Sequence, residues 1–139
     1  MLYRKIDAFI EGYLQTDSGK ILIIDGARQV GKTYSISHAG RKLFSNYIEI
    51  NCVEDAVGQR LFADIRTIED FYFQVSMVAG DRMHEKENTL IFLDEIQEYP
   101  QLLTLLKFLK KDDRFTYIAS GSLLGVTLAQ TTSIPIGSI

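Results

Sequence analysis

Eight residues, Gly26-Ala27-Arg28-Gln29-Val30-Gly31-Lys32-Thr33, follow the spacing G-x-x-x-x-G-K-[ST], which suits a chain of phosphates. Glycine at both ends lets the backbone curl until successive N–H groups surround an anion. A helix starting after Gly31 turns its partly positive end toward the same point. Lys32 can then neutralise the β- and γ-phosphates, and the Thr33 hydroxyl can ligate Mg²⁺. Tyr34, next along the helix, completes the predicted contact set. A chain of this length matches the pattern by accident on the order of half a percent of the time.

Two further groups of residues bear on what happens to such a ligand. "TLIFLDEIQ" puts Asp94 and Glu95 at the end of an apolar run, where side chains emerge beside a parallel sheet's ligand crevice. Asp94 is expected to hold Mg²⁺, through water, and Glu95 to polarise a water for attack on a γ-phosphate. "ASGSLLG" offers Ser120 and Ser122 just where a hydroxyl could touch that phosphate or water. Asn51 could hold Glu95 by a hydrogen bond, or could simply cap the end of its strand.

The elements that must position these residues alternate. Ile6, Phe9, Ile10, Tyr13 and Leu14 have helical spacing, so an amphipathic helix opens the chain. "KILIID", "NYIEIN", "TLIFLDE" and "RFTYIASGS" read as four strands. Between them, helices are predicted over 32–44, over 60–79, where Leu61, Ile65, Ile68, Tyr72, Val75 and Val78 keep one stripe, and over 100–111, with Pro100 at its start. The aromatic residues from Phe62 to Phe73 are expected in the core. Strands alternating with helices predict an α/β fold with a parallel sheet and helices over it. "TTSIPIGSI" resembles the approach to another strand, so residues 1–139 are expected to be one domain, the N-terminal piece of a longer two-domain protein.

The 139 residues are 46% apolar and 24% charged, enough for a core. The net charge of −3 lacks the basic excess of a nucleic-acid binder, and no apolar run is long enough to span a membrane. Lys107, Lys110, Lys111 and Arg114 read as a solvated helix end. One cysteine, Cys52, excludes an internal disulfide and suits a cytoplasmic setting as a small buried residue. His38 and His84 lack metal-site neighbours and are expected at the surface.

Taken together, "GARQVGKT", "FLDEIQ", "SGSLLG" and "TSIPIG" resemble the AAA-type ATPase domain of the large prokaryotic AAA_14 family. The resemblance implies a P-loop NTPase fold, a three-layer αβα sandwich whose parallel sheet has an additional strand between those bearing Lys32 and Asp94. It implies ATP and Mg²⁺ as cofactors, Lys32 and Thr33 on phosphate and metal, Asp94 on magnesium, Glu95 as base and Ser120 or Ser122 as sensor. Arg28 and Gln97 match the family's loops without an assigned role. A C-terminal domain, commonly of the DUF4143 type, is the partner the family usually carries, and a homo-oligomer is compatible with it. No arginine finger is assigned, Arg114 being equally a surface residue. Such a finger is worth about 10³–10⁵ in turnover, so slow hydrolysis is expected of this chain alone.

Glu95 beside Asp94 favours an ATPase whose hydrolysis drives a partner domain. The alternative is a nucleotide-gated binding module with little or no hydrolysis. A small-molecule kinase would want a basic lid, and "GDRMHEKEN" is too acidic to supply one. No N/T-K-x-D guanine-reading motif occurs in the chain.

Overall fold

The computed structural model describes residues 5–15, 21–25, 30–80, 88–112, 114–122 and 131–135, with the side chains of 5–6, 25, 30–32 and 131–135 excepted. Strands β1 (Ile21–Asp25), β2 (Asn46–Asn51), β3 (Thr89–Asp94), β4 (Thr116–Gly121) and β5 (Thr131–Pro135) form one sheet in the order β2-β3-β4-β1-β5. All four pairings are parallel. β4 therefore lies between β1 and β3, as the additional strand was expected to. The segment resembling an approach to a strand forms β5 and pairs along the whole of β1.

Alternation along the strands sorts the core into two layers, because successive side chains leave opposite faces. Ile21, Ile23, Ile91, Leu93, Tyr117 and Ala119 face one cluster; Leu22, Ile24, Leu90, Phe92 and Ile118 face the other. The odd-numbered face is covered by α3 (Cys52–Val57), α4 (Ile68–Ala79) and α5 (Pro100–Asp112). The even-numbered face is covered by α1 (Lys5–Leu14) and α2 (Val30–Leu43), through Ile10, Ile36 and Ala39. Helices on both faces give the expected three layers. Among the described residues, no helix is long and apolar enough to cross a membrane.

Two local devices press the even-numbered layer onto the sheet. Tyr13 donates its hydroxyl proton to the Tyr117 carbonyl at 3.1 Å, tying α1 to β4. At Gly40 in α2, an added Cβ would sit 2.6 Å from the Tyr47 ring and 2.8 Å from Leu90. Only a residue without a side chain lets the helix approach so closely, despite the helix propensity it loses.

The predicted helix over 60–79 forms only in its second half. Thr67 caps α4: its hydroxyl accepts the Asp70 N–H, while the Asp70 carboxylate accepts the Thr67 N–H, each at 3.1 Å. This capping box starts a helix and separates it from what precedes. The upstream residues 60–67 are held otherwise. Asp55 accepts the Leu61 N–H at 2.9 Å, and Gln101 donates to the carbonyls of Phe62 at 2.6 Å and Ala63 at 3.1 Å. The aromatic stripe divides accordingly. Phe62 and Phe71 are fully buried and stacked at 5.3 Å, but Phe73 is 62% exposed on the outer face of α4. The short helix α3 has no counterpart among the predicted elements. It is capped by Asn51, whose Oδ1 accepts the Glu54 N–H at 3.1 Å.

These positions predict unequal mutational effects. Phe62→Ala should lower unfolding free energy by about 3–5 kcal/mol, whereas Phe73→Ala should change it by less than about 0.5 kcal/mol. Urea denaturation of both variants checks the assignment, and equal losses would contradict it.

Candidate functional site

Strands β2, β3 and β4, which carry predicted site residues, and β1, which leads into the motif, end together at one end of the sheet. Asn51 pairs with Asp94, Leu93 with Ala119, Ile24 with Ser120, and Asp25 with Gly121. Asp94 and Ser120 are both even-numbered, so both emerge on the α2 face. Helix α2 begins at Val30, which puts Gly31, Lys32, Thr33 and Tyr34 in its first turn above that end. The motif's loop residues Gly26, Ala27, Arg28 and Gln29 lie outside the described residues, as do the side chains of Val30 and Lys32.

At this end Asp94 is 2% exposed. Burying a carboxylate is unfavourable unless hydrogen bonds replace its water. Ser120, fully buried on the adjacent strand, donates its hydroxyl proton to Asp94 Oδ1 at 2.6 Å. Thr33 Oγ1 faces the other oxygen, Oδ2, at 3.5 Å. The structure thus joins three sequence-predicted residues, Thr33, Asp94 and Ser120, into one line across α2, β3 and β4. Facing hydroxyl and carboxylate oxygens are hard donors of the kind Mg²⁺ accepts, water and phosphate oxygens filling its remaining positions. The donor set fits that ion.

Glu95 follows at φ 57°, ψ 47°, in the left-handed region. A non-glycine residue there costs roughly 1–2 kcal/mol, and such strain gathers at functional sites. Its physical effect is a sharp turn out of β3 into the single 3-10 turn Ile96–Glu98. Ile96 is fully buried beneath that turn, while Glu95 is 7% exposed. The amide touching the Glu95 carboxylate is that of Gln97, whose Nε2 donates to Oε1 at 3.3 Å. Asn51, considered for that part, is committed through Oδ1 to capping α3. Ser122 is exposed, and its backbone N–H donates to Gln97 Oε1 at 3.1 Å. Sequence reasoning gave Gln97 no role; the signals were its match to the family's loop in "FLDEIQ" and its place two residues after Glu95.

The electrostatics of this region register on Cys52, fully buried at the start of α3. Burial first, then the negative charges of Asp55, Asp94, Glu98 and Glu95, pushes its thiol far above the ordinary range. It remains a neutral, unreactive thiol. Elsewhere, His38 is exposed and stacks on Tyr34 at 5.9 Å. His84 lies outside the described residues. Arg114 sits before β4, toward the opposite end of the sheet, pairing with Asp112 at 3.0 Å and lying over the Tyr72 ring at 4.5 Å.

The sequence profile of the AAA_14 family, described as an AAA domain, matches residues 18–139. The chain belongs to this family. No curated protein sequence matches it. Among solved structures, PCH-2 of C. elegans is similar in fold, with a TM-score of 0.54 at 14% identity. That alignment covers 96% of this chain and 41% of PCH-2, so the chain spans less than half the length of that protein. The sheet with β4 between β1 and β3, covered by helices on both faces, is the additional-strand form of the P-loop NTPase sandwich. The AAA domain is thus a nucleotide-binding type of domain, with the phosphate-loop motif and the buried carboxylate where strands meet helix.

The Ser120–Asp94 bond makes a direct prediction. Ser120→Ala removes a charge-assisted bond from a buried carboxylate, a loss of about 1.5–3 kcal/mol in stability. Chemical denaturation measures it, and a loss below about 0.5 kcal/mol would mean that the hydroxyl does not hold Asp94.

Proposed function

We propose that this AAA domain binds ATP with Mg²⁺, hydrolyses it, and passes its nucleotide state to a C-terminal or partner domain. The observation that carries this is the line Thr33–Asp94–Ser120 at the start of α2, with Glu95 turned out of β3 at the next position. An anion-binding loop alone speaks for nucleotide. A metal-type carboxylate followed at once by a second carboxylate on a strained backbone speaks for hydrolysis.

The roles follow from chemistry and placement. The loop from Gly26 to Gly31 is proposed to cradle the phosphates with backbone N–H groups, and Lys32 to neutralise their charge. Thr33 and Asp94 would hold Mg²⁺, which supplies charge compensation on the phosphate oxygens. Ser120 keeps Asp94 aimed at that position. Glu95 accepts a proton from the attacking water as the oxygen bonds to the γ-phosphorus. The bond from that phosphorus to the bridging oxygen breaks, and its electron pair leaves on ADP. Adenine as the base follows from family membership and from the lack of a guanine-reading motif.

Thermal unfolding with ATP, ADP or GTP, each with and without Mg²⁺, tests binding. A ligand at 100 times its Kd should stabilise the protein by about 2.7 kcal/mol, or a few degrees in Tm. The ATP shift should require Mg²⁺ and disappear in Lys32→Ala; no shift with any nucleotide would overturn the proposal. Single-turnover hydrolysis then separates an ATPase from a nucleotide-gated module. Glu95→Gln should retain binding and lose about 10²–10⁴ in rate.

A further inference from the structure

Backbone geometry alone does not settle where the Glu95 carboxylate lies. Its left-handed φ and ψ set the direction of Cβ, yet the flexible side chain beyond it retains several rotamers. Gln97 restricts that freedom through the 3.3 Å bond from Nε2 to Glu95 Oε1. The other end of the same amide accepts the Ser122 N–H at 3.1 Å. Only one orientation of the amide satisfies both partners. Rotated by half a turn, it would set oxygen against the carboxylate and a donor against the Ser122 N–H.

The backbone between the two partners is shaped to admit this amide. A Cβ added at Gly121 would overlap Gln97 Oε1 and stand 3.1 Å from Ile96 N. Glycine at the last residue of β4 thus leaves open the space that the Gln97 amide occupies. Two links consequently run from the end of β4 to the two carboxylates. The Ser120 hydroxyl reaches Asp94 directly, and the Ser122 N–H reaches Glu95 through one amide.

We propose that Gln97 is a positioning residue that aims the Glu95 carboxylate and couples it to the end of β4. This rests on Glu95 acting as the base. A shift of Ser122 moves the amide, and the amide moves the carboxylate. A change at the end of β4 therefore reaches the proposed metal carboxylate and the proposed base together, although one ends a different strand and the other follows it.

The test uses the full chain as wild type, Gln97→Leu, Gln97→Glu, Gly121→Ala and Glu95→Gln. Backbone amide exchange at Ser122, followed by NMR without nucleotide, reads the tether directly. Single-turnover ATP hydrolysis and nucleotide titration read its consequence. Gln97→Leu and Gly121→Ala should speed Ser122 exchange about tenfold or more, since each removes or displaces the acceptor. Gln97→Leu should slow hydrolysis by roughly 10–100-fold, with ATP affinity changed less than about twofold. Gln97→Glu, assayed at a pH high enough to ionise both carboxyl groups, separates the two ends of the amide: its carboxylate can still accept the Ser122 N–H but has no proton to donate to Glu95. It should keep Ser122 protected while hydrolysing as slowly as Gln97→Leu. Unchanged Ser122 exchange in Gln97→Leu would overturn the tether. Normal hydrolysis by Gln97→Leu, with Glu95→Gln slow, would overturn the positioning role alone. Wild-type rates from Glu95→Gln would overturn the base assignment, and the positioning role with it.

Discussion

A buried carboxylate that must be held by hydrogen bonds is the constraint around which this site is built. Asp94 lies at the end of the sheet with almost no exposure. An unpaired charge there would be strongly unfavourable, so the neighbouring strand has to present a donor at the same level. Parallel register does this. Leu93 pairs with Ala119, so the next residues, Asp94 and Ser120, come side by side on one face. Inserting β4 between β1 and β3 is what makes that neighbour available. The same insertion brings Ile24 beside Ser120, so the strand leading into the phosphate loop shares the level.

The layer above imposes a second condition. Thr33 reaches Asp94 only because α2 lies close over β2 and β3, and Gly40 permits that approach. Helix position and carboxylate position are thereby linked through the packing of Tyr47 and Leu90. Dense packing transmits such displacements because a close-packed core has little room to absorb them. The left-handed Glu95 then turns the chain away from the sheet, buries Ile96 and brings Gln97 toward the end of β4.

Much of this arrangement was legible in the sequence because it rests on local patterns. Short segments of strand-like composition marked four strands, and their bounds agree with the structure to within two residues. The motif placed α2, and Pro100 placed the start of α5. Periodicity failed between residues 60 and 79, where apolar spacing suited a longer helix than the one formed. Thr67 and Asp70 carried the start signal in the spacing T-x-x-D, and the longer apolar stripe was read past it. Phe73 faces outward because α4 buries Phe71, Tyr72, Val75 and Ala79, and a residue two beyond Phe71 lies about 200° around the helix.

From sequence alone came the phosphate-loop motif, the adjacent carboxylates and the fold class, because residue types at fixed spacing dictate local chemistry and strand alternation. The partners of those residues came only from the tertiary structure. The sequence offered Ser120 to a γ-phosphate or its water, and Asn51 to Glu95 or the end of its strand; the fold ties Ser120 to Asp94 and Asn51 to the start of α3. Sequence separation says nothing of which strands lie adjacent or which way a chain turns after its last strand residue. Register joined Ser120 to Asp94 across 26 residues, and a left-handed turn joined Gln97 to Ser122 across 25. Hydrogen bonds formed at that range depend on distances that exist only after the layers have packed.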